Sequence, residues 1–418
     1  MRIRSKLCNH WDSFEGIEKG SDSLVKDEWL KRKVMEKKKL LIVIAGNNGT
    51  IGMCSRNLYI ALKQQSDLEV KCVGVHYFEN GLEELEDIEY YKPMSNVVLS
   101  KIDPLSQILW LRKIKKDFQP DITISTLFST SLINVLSGGK GKKIGIFHSP
   151  HQQMKVFGRL SYFITLCNYT FIYPHLDKLA CVSEEVKESL KVFPFINKKK
   201  VEVIYNVHNA KLIREKGNEE IPEKEKELLS HPYILFCGRL DENKAPSRAL
   251  ESFANAQKPS DAKIIYIGGE ENGQLDHLLR KAKEFGIDDK VHYLGRKTNP
   301  YVYIKQASAL ISSSYSEGLP GVIIESLILG TPVITTNSSK GIWEIFSCSN
   351  EYQKDLSTNY VTDSGIITPN LSHKDSTKKD FDVHQLSDAI SHIWQFPKLK
   401  SFTFEEKVSA EYIYRKFL

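Results

Sequence analysis

The sequence predicts an α/β protein made of two doubly wound domains in series, and three observations carry that prediction. A chain of 418 residues with 41% hydrophobic side chains is too long for one ordinary core and suits two domains of about 200 residues each. Short apolar runs bounded by glycine or polar residues alternate with helical stretches, the pattern of a parallel sheet covered on both faces. The alternation runs to Asn206, breaks over a charged segment, and restarts at Tyr233.

In the first half, LLIVIAG (40–46), VKCVGV (70–75), DITIST (121–126), KIGIFH (143–148), KLACVS (178–183) and VEVIYN (201–206) read as strands. Helices are expected at 53–64, 105–118, 156–172 and 184–193, the last with Ser183 as its N-cap. KLIREKGNEEIPEKEKELLS (211–230), charged and free of aromatics, reads as a linker. YILFCG (233–238), KIIYIGG (263–269), VHYLG (291–295), ALISSS (309–314) and PVITT (332–336) then read as a second set of strands, and TFEEKVSAEYIYRKFL as a terminal helix. The expected division is an N-terminal extension (1–38), a first domain (39–210), a linker (211–231), a second domain (232–398) and the last segment (399–418). Ligand crevices of doubly wound sheets lie at the carboxyl ends of their strands, so two such domains form a shared cleft.

Bulk properties exclude several classes. The seven cysteines are odd in number, scattered and without a C-x-x-C pair, which argues against a disulfide framework and a zinc site and points to a reducing cytoplasm. The start lacks a continuous apolar h-region, and no apolar run reaches about 18 residues, so neither an export signal nor a membrane span is expected. A net charge of +6 with a pI of about 8.7 is too mild to indicate nucleic acid. Arg112, Lys113, Lys115, Lys116, Lys140, Lys142, Lys143, Lys155 and Arg159 do cluster near Phe157, Tyr162, Phe163, Tyr169, Phe171 and Tyr173. That mixture suits an anionic membrane surface or a lipid diphosphate, and solvated helix faces beside a half-buried helix explain it equally well.

SSSYSEGLPGVIIESLILGTPVITT (312–336) holds two carboxylates eight positions apart around a strand, a loop and a helix. Glu317 is expected to close the strand. Gly318, Leu319, Pro320 and Gly321 form a loop in which Pro320 suits a first helical position, so the free N–H groups of the helix form an anion-binding end beside Glu317. Glu325 falls in a helix apolar nearly all round and therefore needs a hydrogen-bonding partner. In FCGRLDENKA (236–245), Gly238 allows a turn and Arg239 and Lys244 place two cations at the carboxyl end of a strand, where Arg offers fork geometry to a diphosphate and Lys a point charge.

Three further segments carry candidate residues. AGNNGTIG (45–52) puts Gly46, Gly49 and Gly52 between a strand and a helix, where they can admit phosphate or sugar close to the backbone. Its spacing is not the G-x-G-x-x-G of a dinucleotide-binding oxidoreductase, which counts against that reading. FHSPHQQ (147–153) places His148 at a strand end facing the cleft, with weaker claims for His151, His175 and His208. Asp380 and Asp382 form a D-x-D, but they open a predicted helix, so capping explains them better than a metal does.

The 312–336 segment strongly resembles the E-x7-E signature of glycosyltransferase family 4, retaining enzymes of the GT-B fold, and Arg239 and Lys244 resemble its G-R-L…K-G element. Ala245 departs from the glycine usual in that element. The resemblance implies two Rossmann-like domains facing a cleft and a terminal helix that crosses back to the first. It implies that Glu317 contacts the transferred sugar, that Gly318 to Pro320 contact sugar and diphosphate, and that Glu325 holds the ribose hydroxyls. It further implies that Arg239 and Lys244 neutralise the departing nucleoside diphosphate and that the glycine loop approaches the donor. His148 would touch the sugar's 6-position or the reacting centre, and Gly268, Gly269 and the backbone near Arg296 and Lys297 would lie against the base, although ordinary turn glycines fit those last segments as well.

The expected activity is retaining transfer of a hexose-type sugar from a nucleoside-diphosphate donor to a glycan or lipid-linked acceptor in bacterial surface-polysaccharide synthesis. No metal and no other cofactor is expected, and a cytoplasmic protein peripheral to the membrane is. A GT-B pair serving as an inactive partner of another transferase and a sugar-nucleotide epimerase are the alternatives; the intact Glu317, Glu325, Arg239 and Lys244 count against the first.

Overall fold

A computed structural model describes residues 37–46, 49–76, 87–92, 104–151, 158–371 and 379–418; the N-terminal extension expected at 1–38 therefore lies almost wholly outside the described residues. The first sheet is parallel throughout, with β1 (Lys38–Gly46), β2 (Leu68–His76), β3 (Ile88–Tyr90), β4 (Ile122–Ser125), β5 (Lys142–Phe147), β6 (Lys178–Cys181) and β7 (Val201–Val203) in the order β3-β2-β1-β4-β5-β6-β7. β1 sits centrally, Leu40 facing Val70 on one side and Ile122 on the other. The second sheet repeats the plan with β8 (Tyr233–Cys237), β9 (Lys263–Ile267), β10 (Val291–Tyr293), β11 (Ala309–Ser312), β12 (Val333–Thr336), β13 (Tyr360–Thr362) and β14 (Gly365–Thr368), ordered β10-β9-β8-β11-β12-β14-β13. Among the described residues only the β13–β14 pair is antiparallel.

Both sheets are covered on both faces, which is why their central strands are continuous apolar runs: every residue of ITIS in β4 and ALIS in β11 is buried. Each sheet reverses its strand order beside its first strand, between β1 and β4 and between β8 and β11, and so leaves a crevice at the carboxyl ends there. The two-domain α/β architecture read from the sequence is the one observed. β3, β13 and β14 are not read from the sequence; β3 and β13 are three-residue strands at the sheet edges with no fully buried residue, so they lack the apolar run that marks the central strands.

The segment read as a linker is not a plain connector. It contains the helices Ala210–Gly217 and Lys226–Leu229, and the former packs on the helices Tyr301–Gln306 and Gly321–Ile328 of the second lobe. At the chain end, Ser409 caps the helix Ala410–Phe417, whose buried Ile413 and Phe417 face the first lobe, and Lys178 Nζ donates to the Lys416 carbonyl at 2.7 Å. That helix rests on the helix Gly49–Lys63.

The basic and aromatic cluster divides in space. Tyr169 and Tyr173 are fully buried and pack with Phe147 and Phe193, so they belong to the core. Lys115 is buried and donates to the carbonyls of Asn134 and Gly138, while Arg112 donates to those of Leu136 and Ser137, so both cations complete the end of the helix Phe128–Leu136. Phe163 and Phe171 remain exposed; Lys155 and Phe157 lie outside the described residues.

Candidate active site

β11 ends at Ser312, so Glu317 lies in the following loop and does not close the strand. That loop is sewn to the one after β8. Ser313 Oγ donates to the Lys244 and Ala245 carbonyls at 3.0 Å each, the Tyr315 amide donates to the Asn243 carbonyl at 2.8 Å, and Asn243 Nδ2 donates to the Ser316 carbonyl at 3.0 Å. The stitching brings Lys244 Nζ to 2.5 Å from Glu317 Oε1, with only 24% and 12% of the two side chains exposed. Asp241, which sequence reasoning missed, accepts from the Lys244 amide at 2.8 Å and pairs with Arg239 at 3.0 Å. Its Asx-turn spacing three positions before Lys244 was the available signal. Arg239 also pairs with Glu271 at 3.0 Å and stays more than half exposed.

Ala245 occupies the left-handed region, φ 48° and ψ 52°, which explains why a glycine suits this position. The chain keeps the backbone conformation in spite of the β-carbon, at a cost of about 1 kcal/mol.

The helix Gly321–Ile328 starts one residue later than expected, with Pro320 as its extended N-cap residue and no side chain capping it. The Ile323 amide donates to the Pro320 carbonyl at 3.2 Å, and among the described residues no side chain takes the amides of Gly321 and Val322 before it. Glu325 is buried, and burial pushes its carboxyl up to about 7, opposed by a hydrogen bond from Tyr301 Oη at 3.4 Å. The partner that Glu325 needed exists, but the bond is long. Burial pushes the thiols of Cys237 and, from the first lobe, Cys54 up to about 12, and the Glu325 charge adds to both.

Two backbone approaches join this loop to the first lobe. A β-carbon on Gly318 would stand 2.6 Å from the His148 carbonyl oxygen, so only glycine fits there. At Gly321 a β-carbon would stand 3.3 Å from the His208 ring, so His208 packs on the start of the helix Gly321–Ile328, a contact its sequence context did not signal. Leu319 between them is buried.

His148 follows β5 directly. Burial pushes its imidazole down to about 4, opposed by a hydrogen bond to the Thr126 backbone, and its Nε2 is buried with no hydrogen-bond partner among the described residues. Gly46 ends β1, and Gly49 opens the next helix at φ +63°, while Asn47, Asn48, Gln152 and Gln153 lie outside the described residues. His151 and Tyr169 pack edge to face in the first-lobe core.

In the loop after β9, Gly268 has φ +149° and a β-carbon would meet the Gly238 carbonyl oxygen at 1.7 Å. The Arg296 guanidinium lies against Gly269. Lys297 is turned to the connecting segment, its Nζ 2.6 Å from Glu225 Oε1, so its side chain is occupied there. Asp380 and Asp382 stand in the first turn of the helix Lys379–Ile393, where their charges complement the helix dipole; neither is its N-cap residue.

Known proteins match both halves. Residues 64–211 match the family profile Glycosyltransferase Family 4, and residues 217–353 match Glycosyl transferases group 1. An uncharacterised glycosyltransferase of Methanocaldococcus jannaschii is 26% identical over 337 residues, covering 78% of each chain. The N-acetylgalactosamine-N,N'-diacetylbacillosaminyl-diphospho-undecaprenol 4-alpha-N-acetylgalactosaminyltransferase of Campylobacter jejuni is 29% identical over 62% of this chain and 69% of its own. Among solved structures, the lipopolysaccharide outer core galactosyltransferase WaaB superposes with a TM-score of 0.63 at 17% identity, covering 91% of this chain and 98% of that one. Anabaena HepE in complex with UDP-glucose does so with a TM-score of 0.63 at 14% identity and the same coverage. With its two lobes matched in turn and this fold shared across nearly its whole length, the chain belongs to glycosyltransferase family 4 and carries the GT-B fold.

Proposed function

We propose that the chain is a retaining glycosyltransferase that moves a hexose-type sugar from a nucleoside-diphosphate donor to a glycan or lipid-linked acceptor during assembly of a bacterial surface polysaccharide. The observation that carries the reading is the meeting of Lys244 and Glu317 beside the uncapped start of the helix Gly321–Ile328. Arg239, Lys244 and the amides after Glu317 take up the negative charge that grows on the leaving diphosphate. Glu317 orients the sugar, and the departing phosphate receives the acceptor's proton. Glu325 accepts from the ribose hydroxyls in place of its long bond to Tyr301. With the imidazole neutral and its other nitrogen bonded to Thr126, His148 Nε2 is an acceptor for a sugar hydroxyl.

The lipid-linked acceptor is supported by the names of the Campylobacter transferases, which act on diphospho-undecaprenol-linked glycans, and the nucleotide-sugar donor by HepE, solved with UDP-glucose. The first lobe offers a face for such an acceptor. The helix Arg159–Phe171 exposes Leu160, Phe163, Ile164 and Phe171, each at least half accessible, and Val192 and Phe195 stand exposed on the loop near its end. Among the described residues no helix is long and apolar enough to cross a membrane, so this face would lie on the bilayer. Incubating pure protein with a panel of nucleotide sugars and a polyprenyl-diphosphate glycan tests the proposal. Sugar transfer with retained anomeric configuration is expected; donor interconversion without acceptor, or no donor binding at all, would overturn it.

A further inference from the structure

The two lobes cap each other's helices. The helix Glu184–Leu190 of the first lobe begins with an amide that donates to Glu344 Oε1 of the second lobe at 2.9 Å. The helix Lys340–Ile345 of the second lobe begins with an amide that donates to Glu185 Oε2 of the first at 3.0 Å. Each lobe therefore supplies the carboxylate that completes the other's helix. Tyr205 Oη adds a bond to Glu344 Oε2 at 2.8 Å, and Lys340 Nζ stands 3.5 Å from Glu188. Glu344 is 3% exposed, so this is a buried contact and not a surface pair.

The arrangement reaches the donor loop through Ser339. Serine before a helix ordinarily turns its hydroxyl back onto the helix amides. Here Glu185 takes that part, and Ser339 Oγ instead donates to the Gly318 carbonyl at 3.2 Å. Gly341 lies under the same carbonyl, where a β-carbon would stand 2.3 Å from the oxygen. Gly318 is the neighbour of Glu317 and touches His148 across the cleft. A shift of the capped helix thus moves the backbone that carries the candidate sugar-binding carboxylate.

We propose that Glu344 and Glu185 form a reciprocal clasp that sets the angle between the lobes and, through Ser339 and Gly318, positions the donor loop. They are positioning residues, and the second half of the inference rests on the reading of Gly318 to Pro320 as the donor loop. Burial pushes both carboxyls up, Glu344 to about 7, as a closed interface demands.

The test is amide hydrogen exchange on the full chain without donor, followed by steady-state kinetics. Glu344→Ala is expected to speed exchange at Glu184, and also at Lys340, whose own cap is untouched, and across residues 318–321. It is expected to raise the donor KM about tenfold, the scale of one lost buried hydrogen bond. Glu344→Gln, which keeps an acceptor for the amide and a partner for Tyr205, should restore both readouts to near wild type. Ser339→Ala should leave exchange at Glu184 and Lys340 unchanged and raise the donor KM alone. If Glu344→Ala does not fold, Tyr205→Phe removes one bond of the clasp and should speed exchange at Glu184 and Lys340 together. Faster exchange confined to Glu184 would overturn the clasp. An unchanged KM in Ser339→Ala would overturn its link to the donor loop. Failure of the wild type to bind any nucleotide sugar would sink the transferase reading while the exchange data still decide the clasp.

Discussion

Lys244 and Glu317, far apart in sequence, form a 2.5 Å ion pair that joins the group assigned to the leaving phosphate to the group assigned to the sugar. Each holds the other in place. In the proposed mechanism a donor shares Lys244 with Glu317, and the pair is a preorganised element of the cleft.

Arg239→Ala and Lys244→Ala are each expected to lower turnover by about 100-fold or more, the scale of a preorganised charge-stabilising group. Their stabilities should differ. Removing Lys244 strands a mostly buried Glu317 and should cost about 1–3 kcal/mol, whereas Arg239 is half exposed and its loss should barely move the melting temperature. Thermal melts beside initial rates check this, and equal melting temperatures would contradict the pairing.

Glu325→Gln separates function from stability. Glu325 is raised to about 7 from an ordinary 4.5, so the native state binds a proton that the unfolded chain has released. Its stabilisation is fully present below about pH 4.5 and is lost as pH rises through 7. The facing groups, Tyr301, Cys54 and Cys237, stay neutral across that window. The glutamine variant should therefore melt higher than wild type at pH 8, by an amount on the order of 2 kcal/mol or less, and bind nucleoside diphosphate at least about tenfold more weakly. A lower melting temperature at pH 8 or unchanged affinity would refute the assignment.

Gly318→Ala tests the approach of the lobes. Its β-carbon meets the His148 carbonyl at 2.6 Å, so the lobes must part or the loop must move. A fall in kcat/KM of about 10- to 100-fold is expected from misplacement alone. Wild-type kinetics would mean that the lobes do not touch here during turnover.

Metal and stereochemistry form a further check. Arg239, Lys244 and the helix amides carry the leaving charge in the proposed mechanism, so transfer should survive chelator, and NMR of the product should report the donor's anomeric configuration. Dependence on added manganese or magnesium, or an inverted product, would count against it.

The exposed apolar helix predicts a membrane phenotype. Replacing Leu160 and Phe163 together by serine should weaken co-sedimentation with anionic vesicles by about 10-fold or more, since each buried side chain contributes about 1.5–3 kcal/mol. Both are exposed, so the fold and transfer to a water-soluble acceptor should be unaffected. Undiminished vesicle binding would rule this face out.

What the sequence determined is what lies within short stretches of chain. The strand runs and their break after Asn206 specify two doubly wound sheets, because a strand covered on both faces must be apolar throughout. Glu317, Glu325 and the loop between them were legible because one strand, one loop and one helix bring them together. Arg239 and Lys244 were legible for the same reason.

Only the tertiary structure decided the partners. That Lys244 turns to Glu317, that Lys297 is spent on Glu225, that His208 lies on the helix Gly321–Ile328 and that Glu344 and Glu185 cap each other's lobes all depend on segments 70 or more positions apart. Hydrogen bonds and ion pairs form over about 3 Å, and nothing in local periodicity says which distant carboxylate arrives within that reach. Burial acts the same way: it raises Glu325 and Glu344 and makes Tyr169 and Lys115 structural, and it is a property of the packed lobes.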